Sequence, residues 1–162
     1  MAELKFEGIV SGGISQHTTL LVPGRNALRV APADWPEELY PGSLNVRIAQ
    51  YPDEFRQRGF ANSVIELDRG CFAPEFEILR NEFGNNQLGP RPGFHRGGDG
   101  QVWRATLSVA TTGIRLDCWA LRRFGSQVGE QLEFVAGHRL RDGGLEDGIR
   151  IRVSLWGTWR DA

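Results

Sequence analysis

Lysine is almost missing from this chain: Lys5 stands alone against 18 arginines in 162 residues. No G-x-x-x-x-G-K-[ST] phosphate loop can be completed, so an anion must be held by arginine forks and backbone N–H groups. Cysteine is scarce too. Cys71 and Cys118 make no CxxC pair and no disulfide framework, and read as reduced, buried thiols. His17, His95 and His138 stand far apart without ligand spacing, which argues against a structural zinc site. No apolar run is long enough to span a bilayer, and the opening Met-Ala-Glu-Leu-Lys-Phe-Glu lacks the basic start and apolar centre of a secretory signal. These features predict a cytoplasmic protein with no membrane partner. A net charge of −1 leaves no basic footprint for nucleic acid.

What the chain does have is alternation. Val102, Leu107 and Val109 mix with Trp103 and Ala105 over residues 101–109. Ile114, Leu116, Cys118 and Ala120 alternate strictly, as do Ile149, Ile151, Val153 and Leu155. Further short runs at 4–11, 18–22, 43–48, 63–67 and 131–136 are bounded by glycine and proline. One or two helical turns are expected at 32–39, with Asp34 as N-cap, and a short helix at 52–57 closed by Gly59. Many short strands with little helix predict one mainly β domain, a small barrel over residues 1–162. Residues 69–100 form a long excursion from it. Its Asn85, Asn86, Gln87, Arg91 and Arg96 are expected to face the site as a lid.

Three segments carry chemistry. Tyr40-Pro41-Gly42 is a turn opening into Ser43-Leu44-Asn45-Val46-Arg47-Ile48, with Leu44, Val46 and Ile48 on one face and Ser43, Asn45 and Arg47 on the other. A hydroxyl and an amide oxygen two residues apart can reach one hard cation, and a cation bridging phosphates is what phosphoryl transfer needs. Ser11-Gly12-Gly13-Ile14-Ser15-Gln16-His17 follows a strand, where two glycines give a ligand room and the next N–H groups can form an anion nest. Arg122-Arg123 ends a strand before Ser126, the composition of a phosphate or carboxylate clamp. Each segment also has a plain structural reading: a half-exposed strand, an ordinary turn and a solvated strand end.

In this order the pieces resemble the archaeal CTP-dependent riboflavin kinases, small cradle-loop barrels that transfer a phosphoryl group from CTP to riboflavin to give FMN. The resemblance is carried by Phe6-Glu7-Gly8-Ile9-Val10-Ser11-Gly12 and by Tyr40-Pro41-Gly42-Ser43-Leu44-Asn45-Val46. It continues through Leu121-Arg122 to Ser126 and Leu132-Glu133, then His138-Arg139-Leu140-Arg141 with Gly144-Leu145-Glu146-Asp147-Gly148. It implies that Gly12, Gly13, Ile14, Ser15, Gln16 and His17 wrap the nucleotide phosphates, and that His138, Arg139, Leu140 and Arg141 line the cytidine site. It implies that Ser43 and Asn45 hold Mg2+, that Arg122, Ser126 and Glu133 contact the flavin substrate, and that Glu133 is the catalytic base. The chain departs from the pattern in three places. Ile14 and Gln16 stand where the family has glycines, Ser43 replaces threonine, and residues 85–93 have no counterpart.

Four functions fit these residues. One is nucleotide-dependent phosphorylation of riboflavin or a similar alcohol. A second is a binding module that keeps the nucleotide or flavin cradle without transfer. A DNA-binding barrel conflicts with the near-zero net charge, and sugar binding by the five tryptophans rests on composition that core packing also explains.

Overall fold

The computed structural model describes residues 1–11, 22–40, 43–83, 99–126 and 129–160. Its strands are β1 (Ala2–Ser11), β2 (Leu44–Gln50), β3 (Phe72–Ala73), β4 (Phe76–Ile78), β5 (Gly100–Val109), β6 (Ile114–Arg123), β7 (Gln131–Val135) and β8 (Arg150–Trp159). Six of them, ordered β8-β1-β2-β7-β6-β5, close into an antiparallel barrel through a β5–β8 ladder. The expected mainly β barrel is therefore present, and helical residues amount to only 15%.

Alternation explains the closure. Leu4, Phe6 and Val10 on β1, Leu44, Val46 and Ile48 on β2, and Leu132 and Phe134 on β7 share one core. Cys118 and Ala120 on β6, Trp103, Ala105 and Leu107 on β5, and Ile151, Val153 and Leu155 on β8 join them. A barrel this narrow is filled by its own side chains. Gly8 marks where β1 shifts register against β2. A Cβ there would lie 2.4 Å from Val46 Cγ1 and 2.8 Å from the Arg47 carbonyl oxygen, so only glycine permits the approach.

One end of the barrel is closed by the helices Asp53–Gln57 and Ile65–Asp68, which bury Phe55, Val64 and Leu67. Glu130 ties this cap to β7 by accepting from the Tyr51 hydroxyl, the Ser63 hydroxyl at 2.7 Å and the Val64 N–H at 3.0 Å. Burial pushes the Glu130 carboxyl up, but these donors outweigh it and hold the group below its ordinary value. At the other end Leu140 and Leu145 complete the core.

The short helix expected at 52–57 is present as Asp53–Gln57. Residues 63–67, read as one more apolar run among the strands, instead lead into the helix Ile65–Asp68. There Ser63 Oγ accepts from the Ile65 N–H at 3.2 Å, and Glu66 Oε2 accepts from the Ala61 N–H at 2.8 Å. Residues 32–39 form turns rather than helix, because Arg25 takes the carbonyls of Ala33 at 2.7 Å and Trp35 at 3.1 Å. Within the 69–100 excursion β3 pairs with β8 and β4 with β5. Residues 84–98, which include the lid side chains, and most of the expected strand at 18–22 lie outside the described residues.

A second apolar layer lies outside the barrel. Val22 and Trp35 pack with Phe76, Val102, Trp119, Leu121 and Val135. Trp35 meets Phe76 and Trp119 edge-on, at centroid distances of 5.1 and 5.2 Å. Among the described residues no helix is long and apolar enough to cross a membrane. The inner core carries the fold, so Phe134→Ala, at a fully buried position, should lower unfolding free energy by about 3–5 kcal/mol in urea titrations.

Candidate functional site

Strand parity sends each polar side chain of the predicted site to one side of the barrel wall. On β2 the inner residues are Leu44, Val46 and Ile48, so Asn45 points outward, with Ser43 two residues before it. On β7 the inner Leu132 and Phe134 leave Glu133 outward. The ladders place Asn45 opposite Glu133, and Glu133 opposite Leu121 on β6. Ser11 stands opposite Asn45 on the other side, and its hydroxyl donates to the Asn45 carbonyl at 3.4 Å. The structure thus brings the two predicted metal ligands together with the predicted base.

This face of β2 is not the solvated edge that its sequence suggests. Asn45 is only 2% exposed. Ser43 Oγ, Asn45 Oδ1 and Glu133 Oε1 are sealed from solvent and have no hydrogen-bond partner among the described residues. Each such atom ordinarily costs about 1–3 kcal/mol. Burial pushes the Glu133 carboxyl up to about 8, against the opposing pull of Arg123, Arg122 and the Ser43 hydroxyl. Ser43 lies near enough to favour the charged carboxylate without making a hydrogen bond of ordinary geometry. Among the described residues no three His, Cys, Asp or Glu side chains converge on one point. A cation held here would take a hydroxyl, an amide oxygen and a single carboxylate. Those are hard donors that suit magnesium.

The arginine pair divides. Arg122 shares the inner face of Cys118 and Ala120 and donates to both carboxylate oxygens of Asp68, at 2.5 and 2.8 Å, and to the Gln131 carbonyl at 3.2 Å. Both partners are buried, with side-chain exposures of 5% and 0%. Arg123 faces outward on the Glu133 side. The sequence offered both arginines as a clamp, but the flavin-substrate assignment took Arg122 alone, and Asp68 was not singled out. The strict alternation of Ile114, Leu116, Cys118 and Ala120 already carried the signal, because Arg122 continues that inner row.

Ser126 lies beyond β6, where its N–H donates to the Arg123 carbonyl at 3.2 Å; it makes no hydrogen bond to Ser43, Asn45 or Glu133. His138 and Arg139 are exposed at the far end of β7, and Leu140 is buried. Arg141 pairs with Asp147 at 2.7 Å and donates to the Ser11 carbonyl at 3.3 Å. The predicted cytidine stretch therefore touches the residue from which the predicted phosphate loop departs. Gly12 to His17 themselves, and Pro41-Gly42, lie outside the described residues.

A cavity of about 570 Å3 opens on the outer face of β5, β6 and β8, with Arg104, Thr106, Asp117, Trp119, Trp156 and His138 in its wall. Its volume is that of a small-molecule site. Arg104 is fixed there by both oxygens of Asp34, at 2.5 and 2.9 Å, and lies 4.6 Å over the Trp119 ring. These contacts hold Arg104 as part of the wall.

No protein-family model matches this chain, and no curated protein is significantly similar to it. The likeness to riboflavin kinases rests on the motifs quoted above.

Two expectations follow from this geometry. Asp68→Ala strands the Arg122 cation in the interior and should cost about 3–5 kcal/mol in denaturant titrations. The Glu133 carboxyl keeps its proton in the folded chain after the unfolded chain has lost it. Stability should therefore fall as pH rises from about 4.5 to about 8. In Glu133→Gln that fall should shrink by at least about 1.4 kcal/mol, the equivalent of one pKa unit. Equal pH slopes for the two proteins would contradict the assignment.

Proposed function

We propose that this barrel transfers a phosphoryl group from a nucleoside triphosphate, CTP by family resemblance, to riboflavin, producing FMN with the help of magnesium. The observation that carries the reading is the set of sealed, unpartnered oxygens of Ser43, Asn45 and Glu133 on one outward face. Unsatisfied polar atoms are retained against their cost where a ligand completes them. In this scheme Ser43 and Asn45 hold magnesium, and Mg2+ when bound neutralises charge on the triphosphate.

The chain's own groups do the rest. Gly12 to His17 and the segment His138, Arg139, Leu140 and Arg141 hold the nucleotide. Arg141 is tied to the carbonyl of Ser11, the residue from which Gly12 departs. Glu133 accepts the proton of the riboflavin 5′-hydroxyl as its oxygen bonds to the terminal phosphorus and the bond to the departing CDP oxygen breaks. Only the ionised fraction of Glu133 can take this proton, so FMN formation should rise as pH approaches about 8. Arg122, with its fork filled by Asp68, contributes through its field on Glu133. Ser126 contacts the flavin tail.

The direct test is mass spectrometry of riboflavin incubated with the protein, Mg2+ and each of the four ribonucleoside triphosphates. FMN formed with one of them supports the reading. Saturable binding without FMN would leave the cradle as a binding module, as the Ile14 and Gln16 departures from the glycine pattern favour. Ser43→Ala and Asn45→Ala should each abolish magnesium-dependent CTP binding. Because the deleted oxygens have no partners among the described residues, each should cost less than about 1 kcal/mol of stability. A purely structural Asn45 forecasts the reverse: a lower melting temperature and unchanged nucleotide affinity.

A further inference from the structure

The two arginines that end β6 are treated oppositely by the fold. Arg122 is neutralised by Asp68 inside the barrel. Arg123 is only 7% exposed, yet no hydrogen bond or ion pair reaches its guanidinium among the described residues, and its Nε is sealed without an acceptor. Among the described residues it lies against the Phe83 ring, whose centroid is 3.8 Å from the guanidinium carbon. A ring face offsets only part of a buried cation's lost hydration; a counter-ion does so far better. The nearby carboxylate is Glu133, which acts on Arg123 through its field without pairing to it. The fold therefore presents a buried cation, without a counter-ion paired to it among the described residues, on the same outward face as the unpartnered oxygens of Ser43, Asn45 and Glu133.

We propose that Arg123 holds the terminal phosphate group of a phosphorylated ligand beside Ser43, Asn45 and Glu133; the identity of that ligand rests on the riboflavin phosphorylation reading. A guanidinium fork matches phosphate oxygens in geometry as well as charge. Two sources share this chemistry: the terminal phosphate of the nucleotide and the 5′-phosphate of FMN. Arg123 is thus an anion-holding residue, distinct from the structural Arg122 next to it.

The test uses the full chain as wild type, Arg123→Met and Arg123→Lys. Riboflavin and FMN affinities come from flavin fluorescence, and CTP affinity from calorimetry. If the phosphate is that of FMN, wild type prefers FMN over riboflavin by about tenfold or more, as expected for a charge-assisted contact. Arg123→Met then loses that preference while binding riboflavin as before, and Arg123→Lys recovers part of it. If Arg123→Met instead loses about tenfold in CTP affinity, the phosphate is the nucleotide's and the proposal also stands. Unchanged FMN preference together with unchanged CTP affinity overturns it. Should wild type bind neither flavin nor nucleotide, the kinase reading fails by itself and inorganic phosphate decides. Broadening of its 31P resonance by wild type but not by Arg123→Met supports the anion site, and no broadening by either overturns it. Should Arg123→Met fail to fold, Arg123→Gln is read in the same way.

Discussion

The pairing of β2 with β7 is the contact on which both the barrel and its site depend. Leu44, Asn45, Val46 and Arg47 lie opposite Phe134, Glu133, Leu132 and Gln131. That ladder joins β1–β2 to β7–β6, so without it the barrel does not close. The same register sets Asn45 against Glu133. A slip of one residue would turn Leu44, Val46, Leu132 and Phe134 out of the core and bring Asn45 and Glu133 into it. Packing of the apolar face and placement of the polar face are one constraint seen from two sides.

That constraint has an energetic cost on its outer side. Among the described residues, three oxygens and one guanidinium nitrogen are buried on that one face without partners. By comparison, Glu130 accepts three hydrogen bonds and Asp68 and Arg122 form a two-pronged pair, while Gln101 donates to the Leu67 carbonyl at 2.7 Å and leaves its own Oε1 without a donor among the described residues. The gathering of four such atoms on one face is the physical basis for placing function there. Local inconsistency in an otherwise consistent fold is characteristic of functional sites.

Much of the architecture was legible in the sequence because alternation is a strong signal. Ile114 to Ala120 and Ile149 to Leu155 both bury the face that alternation marked, and Ile114 to Ala120 also buries Trp119 on its other face, in the outer apolar layer. The helix Ile65–Asp68 was not legible, since a short apolar run does not distinguish strand from helix and the deciding bonds come from Ser63 and Glu66 side chains. The grouping of Ser43, Asn45 and Glu133 was legible in part: residue chemistry singled out the first two, and the resemblance supplied the third. Their burial was not, because it arises from tertiary cover that no local pattern records. The different fates of Arg122 and Arg123 follow from parity alone, and needed only the extension of the Ile114–Ala120 alternation by two residues.

The central claim is that the outward face of β2 and β7 binds a divalent cation. Crystals grown with CTP and Mn2+ in place of Mg2+ test it most directly. The account predicts an anomalous peak within coordination distance of Ser43 Oγ and Asn45 Oδ1, about 2–2.3 Å away, with phosphate oxygens completing the shell. Nucleotide bound with its metal elsewhere, or a hydrogen-bonded Ser43–Asn45–Glu133 row with no peak beside it, would contradict the account.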